Sequence, residues 1–318
     1  MKSNKVIDAL LGVAIGDAVG VPHEFTSRDE MQANPATDMI GYGTYNQPKG
    51  TWSDDSSMTF CLAESLIAGY DLKDMAEKFI KWVDEAYWTA HDEVFDIGIT
   101  TSIAISRLRE LIDEGNLDEL KRQKDYGNER DNGNGSLMRI IPLLFYIKGK
   151  PIKEQFDIVW EVSALTHRHI RAAMSCMIYL NLAEKVLEGK DKLEAYKEMR
   201  DEIGKLWDAI DFPEKERKHF DKLIQNDIRE TDIEELKTGG YVIEVLESSI
   251  WFFLNKNTYR DTILSIINLG HDTDTSAAIA GGLAGLYYEQ KGIPEEWVES
   301  LARLDDIVEL GNKLNEKY

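Results

Sequence analysis

Apolar residues return every three to five positions through most of this chain, the spacing that lines one face of a helix. Ile99, Ile103, Leu108, Leu111 and Ile112 keep that step, and so does YVIEVLESSIWFFL at Tyr241–Leu254. Period-two alternation is scarce. The pattern predicts an all-α protein of a dozen or more helices. Two segments break it. Pro22–Ser53 carries Pro, Asn and Gly clusters, as in ANPATDMIGYGTYNQPKG, and reads as a long ordered loop. Tyr126–Ser136, YGNERDNGNGS, reads as a second loop. The charged stretch Glu184–Lys237 is expected to form peripheral helices. No repeat or low-complexity linker divides the chain, so one domain over residues 1–318 is expected.

The start, MKSNKVIDALLGVAIGDAVG, puts two lysines ahead of an apolar run in the manner of a signal peptide. Asp8 and Asp17 interrupt the run, which makes an amphipathic helix the expectation. Read from the sequence, no apolar stretch approaches the roughly 18 residues of a membrane span, so no membrane partner is expected. Within that first helix Gly12, Gly16 and Gly20 recur every four residues and form a stripe where another helix can approach closely.

Charge narrows the partners. Thirty-seven basic and 58 acidic side chains leave a formal net charge of −21. That excess repels nucleic acid and anionic membranes. A small anionic ligand would need a concentrated positive device, such as metal ions or helix N-termini. Cys61 and Cys176 stand apart in apolar helical contexts, which points to buried thiols in a reducing cytoplasm.

Two acidic clusters carry the candidate chemistry. In INLGHDTDTSAAIAGGLAGLYYE, Asp272 and Asp274 precede a run of very small residues. Two residues apart on a regular helix they would point about 200° apart, so they converge only if a turn or cap lies there. Gly270 supports a turn, with the helix starting near Thr275. Helix capping is the bland alternative for either acid alone. KGTWSDDSSMTFCLAESL repeats the layout, placing Ser53, Asp54 and Asp55 after a glycine turn and before an apolar helix.

Should the two ends meet, four carboxylates share one small volume. Two like charges about 4 Å apart cost about 4 kcal/mol at an effective dielectric of about 20. Helix dipoles of about half a charge each cannot offset that, whereas divalent cations can. Ser53, Asp54, Asp55, Asp272, Asp274 and Thr275 form an all-oxygen donor set, suited to Mg²⁺ or Mn²⁺ and to a pair of ions sharing a carboxylate. An EF-hand reading of DTDTS fails, because Ala277 and Leu283 stand where glycine and glutamate are required. The dipeptides His91–Asp92 and His271–Asp272, with His167 and His169, raise an alternative: an HD-type metal-dependent phosphohydrolase acting on nucleotides. It leaves Ser53, Asp54, Asp55 and Thr275 without a role.

Four ordered segments resemble the motifs of the ADP-ribosylglycohydrolases, the group that includes the dinitrogenase reductase-activating glycohydrolase. They are GVAIGDAVGVPHEF, TWSDDSSMTFCLAESL, NGNGSLMRIIPL followed by ALTHRH, and GHDTDTSAAIAGGLAGLYYE, together spanning Gly12 to Glu289. The resemblance implies a compact multi-helix orthogonal bundle with a binuclear Mg²⁺ or Mn²⁺ centre. It also implies removal of ADP-ribose from modified protein side chains, arginine first, or from a small-molecule conjugate. Ser53, Asp54 and Asp55 match one metal motif; Asp272, Asp274 and Thr275 match the other. Glu24 matches an acid beside the metals and the scissile ribose, and is assigned a catalytic role together with Asp55. Gly133, Asn134, Gly135 and Ser136 match a loop around pyrophosphate and ribose, and His167 matches a histidine near that ligand. Asn132 stands where some relatives carry an aromatic residue, and Tyr126 is a substitute for it. A binding module that keeps ADP-ribose without cleaving it is a further alternative. From the residues alone, Gly133 and Gly135 permit positive φ and close backbone approach, so that N–H groups can face phosphate oxygens.

Overall fold

The computed structural model describes residues 4–318 and, among them, contains helices and no strands beyond two isolated bridges. The first half of the chain folds into α1 (Lys5–Gly20), α2 (Arg28–Ala33), α3 (Asp54–Ala68), α4 (Leu72–Glu85), α5 (Ile99–Asp113), α6 (Asp118–Arg122), α7 (Leu143–Ile147) and α8 (Ile152–Ala164). The second half adds α9 (Ile170–Leu187), α10 (Lys192–Ala209), α11 (Glu214–Arg217), α12 (Asp221–Ile224), α13 (Val242–Asn255), α14 (Tyr259–Ile267), α15 (Thr273–Tyr288), α16 (Glu295–Ser300) and α17 (Leu304–Lys317). Their buried apolar side chains join one cluster that runs from Val6 to Leu314.

The first helix is not amphipathic. Every residue from Val6 to Gly20 is buried, because α1 is the central strut with neighbours on all sides. By length and hydropathy Lys5–His23 would pass as a membrane span, contrary to the sequence reading. Its most apolar window, however, is 94% buried inside the protein, as befits a core helix.

The glycine stripe explains how α1 meets its main partner. A Cβ on Gly12 would lie 2.3 Å from Gly281 O, one on Gly16 2.2 Å from Ala277 O, and one on Gly20 2.4 Å from Asp274 Cα. From the other side, a Cβ on Gly285 would lie 2.3 Å from Asp8 O. As the α1 numbers rise the α15 numbers fall, so the helices run antiparallel, backbone against backbone. Each glycine costs about 1 kcal/mol relative to Ala in helix propensity. Tight contact of the two backbones offsets it, and Tyr259 Oη donates to Gly12 O across the seam at 2.6 Å. The C-terminal end of α1 is thereby set against the first turn of α15.

The expected loop Pro22–Ser53 holds a helix that was overlooked. Ser27 and Glu30 make a capping box that starts α2, a signature present in the sequence as S-x-x-E. The charged segment behaves as expected: α10 to α12 wrap the outside, anchored by Trp207, Phe212 and Phe220.

Candidate active site

The start of α3 is held by a residue on another helix. Ser53 occupies the N-cap position, yet its side chain caps nothing. Asp17 of α1 does so instead: its Oδ1 accepts from Ser53 N and Oγ, both at 2.9 Å, and its Oδ2 accepts from Ser56 N at 3.0 Å and Ser56 Oγ at 2.5 Å. These bonds satisfy free N–H groups of the first turn and tie the direction of Asp54 and Asp55 to α1. Sequence reasoning missed Asp17. Its signal was an acid, with Asp8 one of two, inside an otherwise apolar helix, a position that an unpartnered carboxylate does not occupy.

The two acidic clusters meet. Asp55 Oδ2 accepts from Ser53 Oγ at 3.0 Å and from Thr275 Oγ1, 220 residues further along the chain, at 3.3 Å, so the two clusters meet on one carboxylate oxygen. α15 begins at Thr273, two residues earlier than predicted, with Asp272 at its N-cap in a non-helical conformation (φ −88°, ψ 75°). That break in the helix lets Asp272 and Asp274 face one volume. Neither is occupied as a conventional cap: Asp272 Oδ2 accepts from Asn134 Nδ2 at 2.7 Å, and Asp274 Oδ1 from Thr275 N at 2.9 Å.

Glu24 completes the cluster. Its backbone carbonyl accepts from Thr44 Oγ1 at 2.7 Å, while Phe25 N donates to His271 O and His271 N to Thr26 O, each at 2.7 Å. These bonds fix the loop after α1 against the entry to α15. Carboxylate oxygens then gather in two groups that share Asp274: Asp17, Asp55 and Asp274, and Glu24, Asp272 and Asp274, with oxygens within 4.8 Å of one another in each. Asp55 Oδ1, Asp274 Oδ2 and Glu24 Oε2 are buried without a hydrogen-bond partner. Orphaned acceptors at the meeting point of two acidic groups fit a hard divalent cation, and the donors are all oxygen. The clusters could therefore hold metal ions.

The electrostatics agree. Loss of hydration pushes every one of these carboxyls up: Asp17 and Asp272 to about 6, Glu24 to about 8 with Asp96 adding repulsion, and Asp54, Asp55 and Asp274 well above the usual range with neighbouring acids contributing. So many carboxyls in one buried volume cannot all ionise without compensating positive charge.

Beside the acids lies a cleft of about 370 Å³, lined by Glu24, Phe25, Asp54, Asp96, residues 97–101, Gly133, Asn134, Gly135, His167 and Thr275 among others. Of the two freedoms that glycine offers there, Gly133 and Gly135 do not use positive φ. Their lack of a side chain serves close approach: a Cβ would sit 3.0 Å from His167 Nε2 at Gly133 and 2.7 Å from His167 Cε1 at Gly135. The turn is pinned by Asn134 N to Gly240 O (3.1 Å) and Val242 N to Asn132 O (3.1 Å). Beneath it His167 is buried, 2.9 Å from Thr166 Oγ1, and burial with Arg139 and Arg107 nearby pushes its pKa down to about 3, so it is neutral. Arg139, wholly buried, donates to Gly135 O and lies over the Phe79 ring.

Three expected substrate contacts are placed away from the cleft lining. Asn132 is buried and bonds back to Glu129 O at 3.3 Å. Ser136 is fully buried and accepts from Ser163 Oγ at 2.9 Å. Tyr126 is 45% exposed and donates to Glu119 Oε2 at 3.0 Å. Asp96 does line the cleft, with φ +50°, and was missed; nothing in HDEVFDIG set it apart from its acidic neighbours. The histidines of the HD reading do not join the two acid groups. His91 bonds Thr51 Oγ1 at 3.0 Å, and His169 belongs to a separate ion-pair cluster in which Arg171 binds both Glu129 and Glu216.

Comparison with known proteins agrees with this geometry. The sequence model of a family described as ADP-ribosylglycohydrolase matches residues 2–318. The chain is 32% identical over 314 residues to the ADP-ribosylarginine hydrolase Tri1 of Pseudomonas putida strain GB-1, covering 96% of this chain and 76% of that protein. It is 26% identical over 311 residues to the ADP-ribosyl-dinitrogen reductase glycohydrolase of Rhodospirillum rubrum, covering 96% and 92%. A solved chain titled ADP-ribosylglycohydrolase-related protein complex aligns over 100% of this chain and 99% of its own, with a TM-score of 0.80 and 26% identity.

Proposed function

This chain belongs to the ADP-ribosylglycohydrolase family and is a hydrolase of ADP-ribosyl groups on proteins, and we propose that it cleaves ADP-ribose from arginine side chains with two Mg²⁺ or Mn²⁺ ions. The observation that carries the site is the shared oxygen of Asp55, where Ser53 and Thr275 meet beside orphaned carboxylate acceptors. The arginine linkage rests on the likeness to ADP-ribosylarginine hydrolases.

Ser53, Asp54, Asp55, Asp272, Asp274 and Thr275 would hold the ions, with Asp17 fixing the start of α3 behind them. When bound, divalent ions neutralise the acids and supply Lewis acidity that holds ribose hydroxyls. The distal ribose then lies beside the carboxylates, and cleavage at its anomeric carbon passes through an oxocarbenium-like state that nearby carboxylates stabilise. Asp55 orients a water whose oxygen bonds to that carbon as the carbon–nitrogen bond breaks. That water gives up a proton and the departing guanidine nitrogen takes one up, with Glu24 assigned to carry it from the first to the second.

Among the described residues, no Lys or Arg lines the cleft. Attraction for the pyrophosphate falls to backbone: the first turn of α5 lines the cleft and starts without a side-chain cap, which leaves its N–H groups available to an anion. The buried thiols of Cys61 and Cys176, which form no disulfide, support a cytoplasmic setting.

Incubation with arginine-, serine- and ester-linked ADP-ribose tests the linkage. Turnover of the arginine conjugate is expected, abolished by EDTA and restored by Mg²⁺ or Mn²⁺. Activity confined to the other conjugates, or indifferent to EDTA, would overturn the proposal.

A further inference from the structure

Phe25 is the most conspicuous side chain at the mouth of the cleft. It lines the cleft yet is 69% exposed, and its φ of +62° lies in a region that bulky residues avoid. Two 2.7 Å backbone bonds hold it there, Phe25 N to His271 O and His271 N to Thr26 O. Its ring lies 6.4 Å from that of Tyr45, which is 4.9 Å from Phe95, so one edge is backed by aromatics while the other stays free. Exposing a phenyl ring on a strained backbone carries a cost with no return to the core, and such outliers concentrate where a ligand is clamped. Its chain neighbour is Glu24, and Asp96 and Asp54 line the same cleft.

Resting on the arginine reading above, we propose that Phe25 is the specificity-determining residue for the leaving group: its ring stacks on the guanidinium of the modified arginine. The planar, weakly hydrated cation suits an aromatic face, and the flanking carboxylates favour a positive group there. Placement selects this end of the substrate over adenine. Phe25 follows Glu24 in the chain and lines the cleft with Asp54 and Asp96, the acids beside which the scissile bond is read to lie, whereas the Gly133–Gly135 turn is read as the pyrophosphate seat.

The test compares wild type with Phe25→Ala, Phe25→Leu and Phe25→Trp, with Mn²⁺ present. Because the side chain is exposed, the variants should fold as wild type does. KM for ADP-ribosyl-arginine should rise about tenfold in Phe25→Ala and Phe25→Leu and stay within about twofold of wild type in Phe25→Trp. KM for ADP-ribosyl-serine and the affinity for free ADP-ribose, which lack the guanidinium, should move less than about twofold. Equal losses on both conjugates, a Phe25→Leu variant as good as wild type, or weakened ADP-ribose binding would overturn the role of Phe25 and leave the linkage standing. A wild type active on serine and idle on arginine would overturn the linkage first and this proposal with it.

Discussion

The floor of the site and its rim are built on opposite terms. The floor is the seam between α1 and α15, where backbones touch through Gly12, Gly16, Gly20, Gly281 and Gly285. The rim is loop, with non-glycine residues held at positive φ in Phe25, Asp96 and His271, and with Phe25 and Ile99 exposed at the cleft. Regular, dense structure fixes where the acids point; strained, exposed structure meets the substrate. This answers why carboxylates sit at the mouth of so closely packing a helix. Asp17 and Asp274 keep their relation because the helices carrying them cannot move apart without opening a glycine seam. A floor built this way tolerates no added volume, and a rim built this way tolerates much.

The largest effect should come from changing what the floor presents without changing how it packs. Asp55→Asn and Asp274→Asn are each expected to lower turnover about a hundred- to a thousandfold, as loss of one preorganised charge-handling group does. Each also removes one of several repelling buried carboxyls, so the melting temperature of the metal-free protein should hold or rise. Circular dichroism and a steady-state assay on the same preparations check both halves. A melting temperature that falls with activity would mean that these acids support the fold, and the division between floor and rim would blur.

Next in size is a change to the packing itself. In Gly16→Leu the new Cβ meets Ala277 O at 2.2 Å, a backbone atom that cannot swing away. Overpacking of this kind costs about 3 kcal/mol or more, since α1 and α15 must separate. The expected outcome is a denaturation midpoint lowered accordingly, together with lost activity as Asp17 and Asp274 drift apart. Unchanged stability would show that the seam yields and is no rigid floor.

How much of this was legible in the sequence follows the same division. The floor announced itself. Glycines at steps of four, acids beside small residues and a repeated hydroxyl–acid layout all depend on local spacing, and α1, α3 and α15 stand nearly where that spacing put them. Asp17 escaped because its partners, Ser53 and Ser56, lie 36 and 39 residues away, and no local pattern reveals a cap supplied by another helix. The rim was read less well. The apolar stripe located α5 correctly, yet Ile99 and Ile103 are 81% and 62% exposed, because the first turn of that helix projects beside the cleft and away from the core. Hydrophobicity predicts burial only where the fold has no other use for an apolar surface. The glycines of the Gly133–Gly135 turn were read as allowing close approach, but that the close neighbour is His167 is a tertiary fact that composition does not carry.

The smallest effect should come from Ser27→Ala at the outer support of the rim. Ser27 starts α2, where its Oγ accepts from Glu30 N at 3.3 Å while Glu30 Oε2 accepts from Ser27 N at 2.9 Å and Ser27 Oγ at 2.6 Å. The pair is exposed, and Met31 is the one residue of α2 that is buried, so little of the core depends on it. Loss of such a cap costs about 1 kcal/mol. The backbone it steadies nevertheless reaches the site: a Cβ on Gly270 would lie 2.5 Å from Thr26 O and 2.9 Å from Arg28 N, so the start of α2 buttresses the turn into α15. If rim and floor are separable, Ser27→Ala lowers the unfolding free energy by that amount, leaves kcat unchanged and moves KM for the ADP-ribosylated substrate less than about threefold, a change smaller than 1 kcal/mol. A fall in kcat would mean that disorder at Ser27 reaches Asp272 and Asp274 through Gly270. The rim would then be helping to hold the acids in place, and the Gly270–Asp272 turn would belong to both regions.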